Sequence, residues 1–252
     1  MIPSPVSVEA DILQGEAERM GVTLRLIGSL AVSIRCETTR HLAEILGRRV
    51  PRDIDFVGYS AQSEPIERLF ESRGYVLHPA VRHSREWGVK RLIYTDSAGH
   101  KVDVFLDDLV MAHTITFAGR LEGDQRTVCL ADLLLSKLQI HRITENDLID
   151  LVVLLGAAGF GPGEDQIDLA YIVGIMAADW GFHRTTLANL AKLDEALERY
   201  TALSPDVAAS VRARARQLAE AIEAVPKTTR WRLRARIGTR VPWYEDVEEV
   251  DQ

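Results

Sequence analysis

Cysteine is scarce in this sequence: 252 residues carry two, Cys36 and Cys129. They lie far apart with no C-x-x-C spacing, which excludes a disulfide framework and a thiolate zinc site. Two reduced, buried thiols in a cytoplasmic protein are expected. Long apolar runs are also absent. No segment approaches the roughly 18 apolar residues of a spanning helix, and Met1 to Glu9 has neither the basic nor the apolar stretch of a signal peptide. No membrane partner is therefore expected. A basic excess is missing too: the net charge of −7 excludes a chain that binds nucleic acid through its overall field, leaving only local basic regions for that work. Repeats and low-complexity segments do not occur. What remains is ordinary globular material, 46% hydrophobic and 27% charged. The length suits one large domain or two small ones and is enough to bury a core without staples.

The two halves differ in character. Residues 8–21 carry a helical pattern stopped by Gly21, and Thr23 to Ile27 is a short apolar strand running into Gly28-Ser29. A helix follows over Leu30 to Leu46, stopped near Gly47. Asp53 to Gly58 alternates as a half-buried strand does. Ser63 to Arg73 is helical, and Tyr75 to His78, Trp87 to Thr95 and Lys101 to Leu106 read as strands, the last two joined by the turn Asp96-Ser97-Ala98-Gly99. From Leu130 onward the pattern is helical: Leu130 to His141, Glu145 to Ala157, Asp165 to Ala178, Thr185 to Tyr200 and Asp206 to Ala224. The expected fold class is α/β (α+β), a mixed sheet with flanking helices followed by a helical region. The expected domains are 1–125, 126–225 and a basic-then-acidic tail, 226–252.

Asp53-Ile54-Asp55-Phe56 is the most informative tetrapeptide. In a strand, residues i and i+2 share a face, so Asp53 and Asp55 stand together while Ile54 and Phe56 point into a core. Two such carboxylates repel unless a cation lies between them, and Mg²⁺ or Mn²⁺ suits oxygen ligands. Asp103, inside the strand pattern Val102-Asp103-Val104-Phe105, is a residue that strands disfavour. Alone it reads as the solvated face of an edge strand; beside an Asp-x-Asp strand it reads as a third metal ligand or a group that activates a hydroxyl. Gly28-Ser29 lies at a strand-to-helix junction, where backbone N–H groups can hold phosphate. A plain helix cap at Ser29 is compatible with that role.

The order strand, Gly-Ser, helix, Asp-x-Asp strand, later strand with one Asp resembles the nucleotidyltransferase superfamily of the DNA polymerase β type over about residues 22–108. The resemblance implies that Gly28 and Ser29 grip the triphosphate of an NTP. It also implies that Asp53 and Asp55 bind metal and that Asp103, the third carboxylate of the catalytic trio, acts as metal ligand or base. A second stretch, Leu130-Ala131-Asp132-Leu133-Leu134-Leu135-Ser136-Lys137-Leu138-Gln139 with Arg142 and Asn146-Asp147-Leu148-Ile149-Asp150-Leu151, resembles AbiEii-type nucleotidyltransferases, a group that includes toxins of toxin–antitoxin systems. It implies that Lys137 reaches the nucleotide phosphates and that Asp147, or else Asp150, lies near them. Lys137 equally suits a snorkelling surface lysine, and Asp147 an acid in a helix's first turn. Arg48-Arg49-Val50-Pro51-Arg52 lengthens the segment before the Asp pair, and Arg52 or Arg49 stands in for the family's basic residue there.

The resemblance implies transfer of a nucleoside monophosphate to a hydroxyl of tRNA, of a protein or of a small molecule such as an aminoglycoside or lincosamide, with an antitoxin as a partner in the toxin case. A non-catalytic nucleotide-binding regulator and a metal-dependent phosphohydrolase are the alternatives. Arg230 to Ile237 alternates arginine with apolar residues, a strand-like pattern whose charged face suits a polyanion or a protected edge. His78, His83 and His113 lack metal-ligand spacing. His141 and Arg142 suit a helix end, and Asp107-Asp108 suits a solvated turn.

Overall fold

The computed structural model describes residues 4–79, 81, 90–122 and 125–246. His83, the start of the expected strand at Trp87, and most of the acidic run from Glu245 to Asp251 lie outside them. The chain forms two compact units that are not consecutive stretches. The first takes residues 1–34, 50–109 and 115–128, and the second takes 35–49, 110–114 and the chain from 129 onward.

The first unit is built on a five-stranded mixed sheet. Its strands are β1 (Leu24–Ile27), β2 (Asp53–Gly58), β3 (Val76–Leu77), β4 (Arg91–Thr95) and β5 (Lys101–Leu106), in the order β1-β2-β5-β4-β3. β2 and β5 run parallel and the other pairs antiparallel. This is the mixed α/β class that the sequence implies. One sheet face carries Leu24, Leu26, Ile54, Phe56, Leu92, Tyr94, Val102 and Val104, all essentially without solvent exposure. Helices α1 (Pro5–Arg19) and α4 (Ser63–Ser72) cover it; Phe70 of α4 stacks on Tyr94 with ring centroids 4.2 Å apart. Pro5 and the Ser4 hydroxyl, which accepts from Ser7 N–H, start α1. The period-2 pattern of β2 thus decides which of its residues reach the core and which stand on the other face.

The expected helix over Leu30 to Leu46 is two helices, α2 (Gly28–Arg35) and α3 (Arg40–Ile45). The break at Cys36–Thr39 is held by the Thr39 hydroxyl, which donates to Val153 O at 2.9 Å; a tertiary hydrogen bond outweighs local periodicity here.

The second unit contains α3 together with α5 (Leu130–Leu138), α6 (Glu145–Ala157), α7 (Leu169–Ala178), α8 (Trp180–Arg199), α9 (Pro205–Ala224) and α10 (Thr229–Ile237). Every residue of α5 is buried, Asp132, Ser136 and Lys137 included. Asp168, Asp179 and Ser204 cap the starts of α7, α8 and α9 through their side-chain oxygens. The arginine-rich tail is a correction: Arg230 to Ile237 forms α10, not a strand. Thr228 accepts from Trp231 N–H and starts a helix, and at 100° per residue the four arginines no longer share a face. Arg234 turns back to the carbonyls of Gly238, Val241 and Pro242.

Candidate functional site

The other sheet face carries the sequence-derived carboxylates, set among the buried Ile27, Val57, Ile93 and Phe105. In the β2–β5 register Asp55 lies directly beside Asp103, and Asp53 beside Lys101. Asp53, at the start of β2, is exposed, Asp55 is half-buried, and Asp103 is buried. Parallel pairing of two strands, each with an Asp at the same level, places these side chains as neighbours.

Arg91 on β4 donates through Nη2 to Asp103 Oδ2 at 2.6 Å, and its guanidinium lies 5.2 Å from the centroid of the Phe105 ring. Arg91 is paired in register with Phe105, two residues from Asp103; it reaches the carboxylate diagonally. Asp103 Oδ1 has no hydrogen-bond partner among the described residues. A buried carboxylate oxygen left bare costs on the order of 1–3 kcal/mol.

β1 delivers the chain to Gly28, whose φ of +73° is the left-handed region open to glycine. A Cβ at Gly28 would clash with Asp55 Oδ2. Glycine therefore serves twice here: it turns strand into helix, and it lets the backbone at the start of α2 approach a carboxylate. Ser29 follows as the second residue of α2, where first-turn N–H groups have no intrahelical acceptor.

The donor set suits a hard divalent cation, because carboxylate oxygens are the ligands that Mg²⁺ and Mn²⁺ favour. Among the described residues, however, no three acidic, histidine or cysteine side chains form a group arranged to hold a metal. The Asp53–Asp55–Asp103 trio is thus not a closed cage: Asp53 stands at the exposed strand end, and Asp103 is turned toward Arg91. Arg52, next to Asp53, is exposed.

The second unit gathers Lys137, Asp147 and Asp150, and adds Arg48. Lys137 Nζ lies 2.9 Å from Asp147 Oδ1 and 2.9 Å from Asp150 Oδ2. Arg48 donates to both oxygens of Asp150, through Nε and, at 2.9 Å, through Nη2. All four side chains are no more than 15% exposed, and the cluster is neutral, two cations against two anions. Burial opposes the Lys137 charge, but the adjacent charges of Asp150 and Asp147 outweigh it and raise its pKa above the ordinary lysine value. For Asp147 burial acts upward, while Lys137 and the Thr144 hydrogen bonds prevail and hold it below the ordinary carboxylate value. Asp147 also completes a capping box: its Oδ2 accepts from the Thr144 backbone N–H at 3.3 Å, and its own N–H donates to the Thr144 hydroxyl oxygen at 3.4 Å. The roles of helix cap and ion-pair partner coincide in one residue.

Arg48 and Arg91 are the partners that sequence reasoning overlooked. Arg48 lies in the basic run before β2 without a pattern to single it out, and Arg91 is legible only once the β4–β5 register is known. Cys36 is buried, and desolvation pushes its thiol up to about 12, while Cys129 is only half-buried. His113 is stacked on Phe182 at 4.9 Å and bonded to the Thr185 hydroxyl; burial brings its pKa down to about 4, so it is a neutral core residue.

No protein-family model matches the chain, and no curated protein matches it in sequence. Among solved structures, the chain is similar to the lincosamide antibiotic adenylyltransferase LnuA in its lincomycin-bound form, at 18% identity over 58% of this chain and 94% of that one, with a TM-score of 0.40. It is also similar to the antibiotic-resistance factor ANT(2'')-Ia, at 12% identity over 86% of this chain and 96% of that one, with a TM-score of 0.35.

Proposed function

We propose that the chain is a metal-dependent nucleotidyltransferase that moves a nucleoside monophosphate from an NTP to an acceptor hydroxyl. The observation that carries the reading is the register of β2 on β5: Asp55 and Asp103 are immediate neighbours, beside a glycine that a side chain could not replace without striking Asp55. A carboxylate pair on rigid strands is costly in an otherwise packed domain. Phosphoryl-group chemistry, which depends on positioning and charge neutralisation, gives it a use.

In this reading Asp55, with Asp53 along the same strand face, holds the divalent cation. When bound, that cation supplies charge neutralisation for the triphosphate. Gly28 and Ser29 present the first-turn N–H groups of α2 to phosphate oxygens, and Arg52 adds an exposed cation. Asp103 takes part in activating the acceptor hydroxyl, accepting its proton. The acceptor oxygen bonds to the α-phosphorus, and the bond to the departing pyrophosphate breaks. Lys137 is a framework cation first, because a phosphate would compete for it with two carboxylates at 2.9 Å; a nucleotide role for Lys137 and Asp147 requires that competition to be won.

The test is incubation with α-labelled NTPs and Mg²⁺ or Mn²⁺ in three arms: tRNA, cell protein, and small hydroxylated molecules including a lincosamide. Label entering one arm, lost in Asp55→Ala while the far-UV spectrum is kept, supports the reading and identifies the acceptor. A toxin role requires the tRNA arm. Release of inorganic phosphate with no label transferred would make the chain a phosphohydrolase, and no binding of NTP with either metal defeats the enzyme reading.

A further inference from the structure

The face that carries the three carboxylates also receives two cations from strand register. Lys101 pairs with Asp53, and Arg91 pairs with Phe105, two residues along β5 from Asp103. The three acids differ in what their oxygens can still accept. Asp53 is exposed and Asp55 half-buried, so an ion arriving from water can meet both. Asp103 is closed. Its side chain is 6% exposed, its Oδ2 accepts from Arg91 Nη2 at 2.6 Å, and its Oδ1 is shut off from solvent. A Mg²⁺ ion has to approach a ligand oxygen to about 2.0–2.1 Å. At Oδ2 it would stand against the guanidinium already bonded there, a like charge at close range, and Oδ1 has no surface to offer.

Arg91 is held by more than this one bond. Its guanidinium lies 5.2 Å from the centroid of the Phe105 ring, its cross-strand neighbour, within cation–π range. An arginine keeps its charge at every working pH, and its planar fork is better oriented than the point charge of a lysine. Two metal ions in phosphoryl chemistry stand about 3.5–4 Å apart, so a second ion beside one on Asp55 would fall on Asp103, where the Arg91 charge already lies. One ion needs no third acid, because Mg²⁺ is commonly held by one or two carboxylates, with water and substrate phosphates completing its shell.

We propose that Arg91 is a positioning residue that takes the place of a second metal ion. The site holds one divalent cation, on Asp53 and Asp55, while Asp103 is paired with the guanidinium and does not ligate metal. This rests on the nucleotidyltransferase reading and narrows it to chemistry supported by one metal ion and one fixed side-chain cation.

The experiment counts the Mn²⁺ ions retained per chain by electron paramagnetic resonance, with Mn²⁺ alone and with the α,β-methylene analogues of ATP, GTP, CTP and UTP. One ion is expected. Asp55→Asn should weaken its binding at least about tenfold, since even a partner outside the ligand set is worth that much, and Asp103→Asn should cost less than Asp55→Asn. Arg91→Ala should admit a second ion, because it removes the like charge and uncovers Oδ2, and Arg91→Lys should bring the count back to one. Far-UV spectra check that each variant folds; should Arg91→Ala not fold, Arg91→Gln removes the charge while keeping a hydrogen-bond donor and makes the same comparison. Three results would overturn the proposal and leave the transferase reading standing: two ions on the wild type, an ion lost as fully with Asp103→Asn as with Asp55→Asn, or a count that stays at one in a folded variant lacking the Arg91 charge. No Mn²⁺ retained under any of these conditions defeats that reading and this proposal with it.

Discussion

Replacing Lys137 by methionine removes the centre of the buried charge cluster while nearly preserving its volume. In the wild type one ammonium serves two carboxylates at 2.9 Å each, and Arg48 shares Asp150. The variant leaves two buried acids facing one guanidinium, an uncompensated negative charge in a place where no side chain is more than 15% exposed. Solvent screening therefore offers little relief, and the surface-pair value of under about 1 kcal/mol does not apply. Breaking a buried pair costs about 3–5 kcal/mol, which for a chain of this size lowers Tm by roughly 6–20 °C. The loss should depend on pH. Asp147 is held below its ordinary value of 3.8, so its contribution is present above that value and fades as pH falls through the depressed one. The variant lacks the cation that depresses it, so the gap between the two melting curves should narrow in acid. Lys137, with its pKa raised above 10.5, contributes fully below that value and loses its contribution only as pH rises through the higher one. Adding Asp150→Asn to Lys137→Met restores neutrality and should recover part of the loss. Thermal melts followed by far-UV circular dichroism at neutral pH and near pH 3 check this. A Lys137→Met protein that melts with the wild type at neutral pH, or whose deficit is the same in acid, would refute the reasoning.

Gly28→Ala should abolish label transfer and cost about 1–2 kcal/mol, since it puts a Cβ in the left-handed region and against Asp55; kinetics and a urea melt on the same sample separate the two effects. Arg91→Met should destabilise by roughly 1–3 kcal/mol, the lower range for an orphaned acceptor, because Arg91 itself is 30% exposed. A melt unchanged by that substitution would mean that Asp103 does not depend on Arg91. In the native protein a thiol reagent should modify Cys129 well before Cys36, whose thiol burial pushes up to about 12, and mass spectrometry of the labelled peptides reads the ratio.

Short-range physics made much of this protein legible in advance. The period-2 pattern of residues 53–58 corresponds to a strand with those bounds, and it placed Asp53 and Asp55 together, opposite Ile54 and Phe56. The Thr144–Asp147 box and the capping residues before α9 also lie in local sequence. The Arg230 to Ile237 alternation misled because a charge pattern is not a backbone preference, and the Thr228 cap started a helix there. What only the tertiary structure decided lies between segments distant in the chain. The register that sets Asp55 beside Asp103 and Arg91 within reach of it is a property of paired strands. The sharing of Lys137 between Asp147 and Asp150, and of Asp150 between Lys137 and Arg48, is a property of segments packed in one core. Trp180 of α8, Trp231 of α10 and Trp243 beyond it line one cavity of the second unit although they lie far apart in sequence. Periodicity acts over a few residues, whereas the partner of a buried charge is chosen by whichever segment desolvates it, and that segment is known only once the chain has folded.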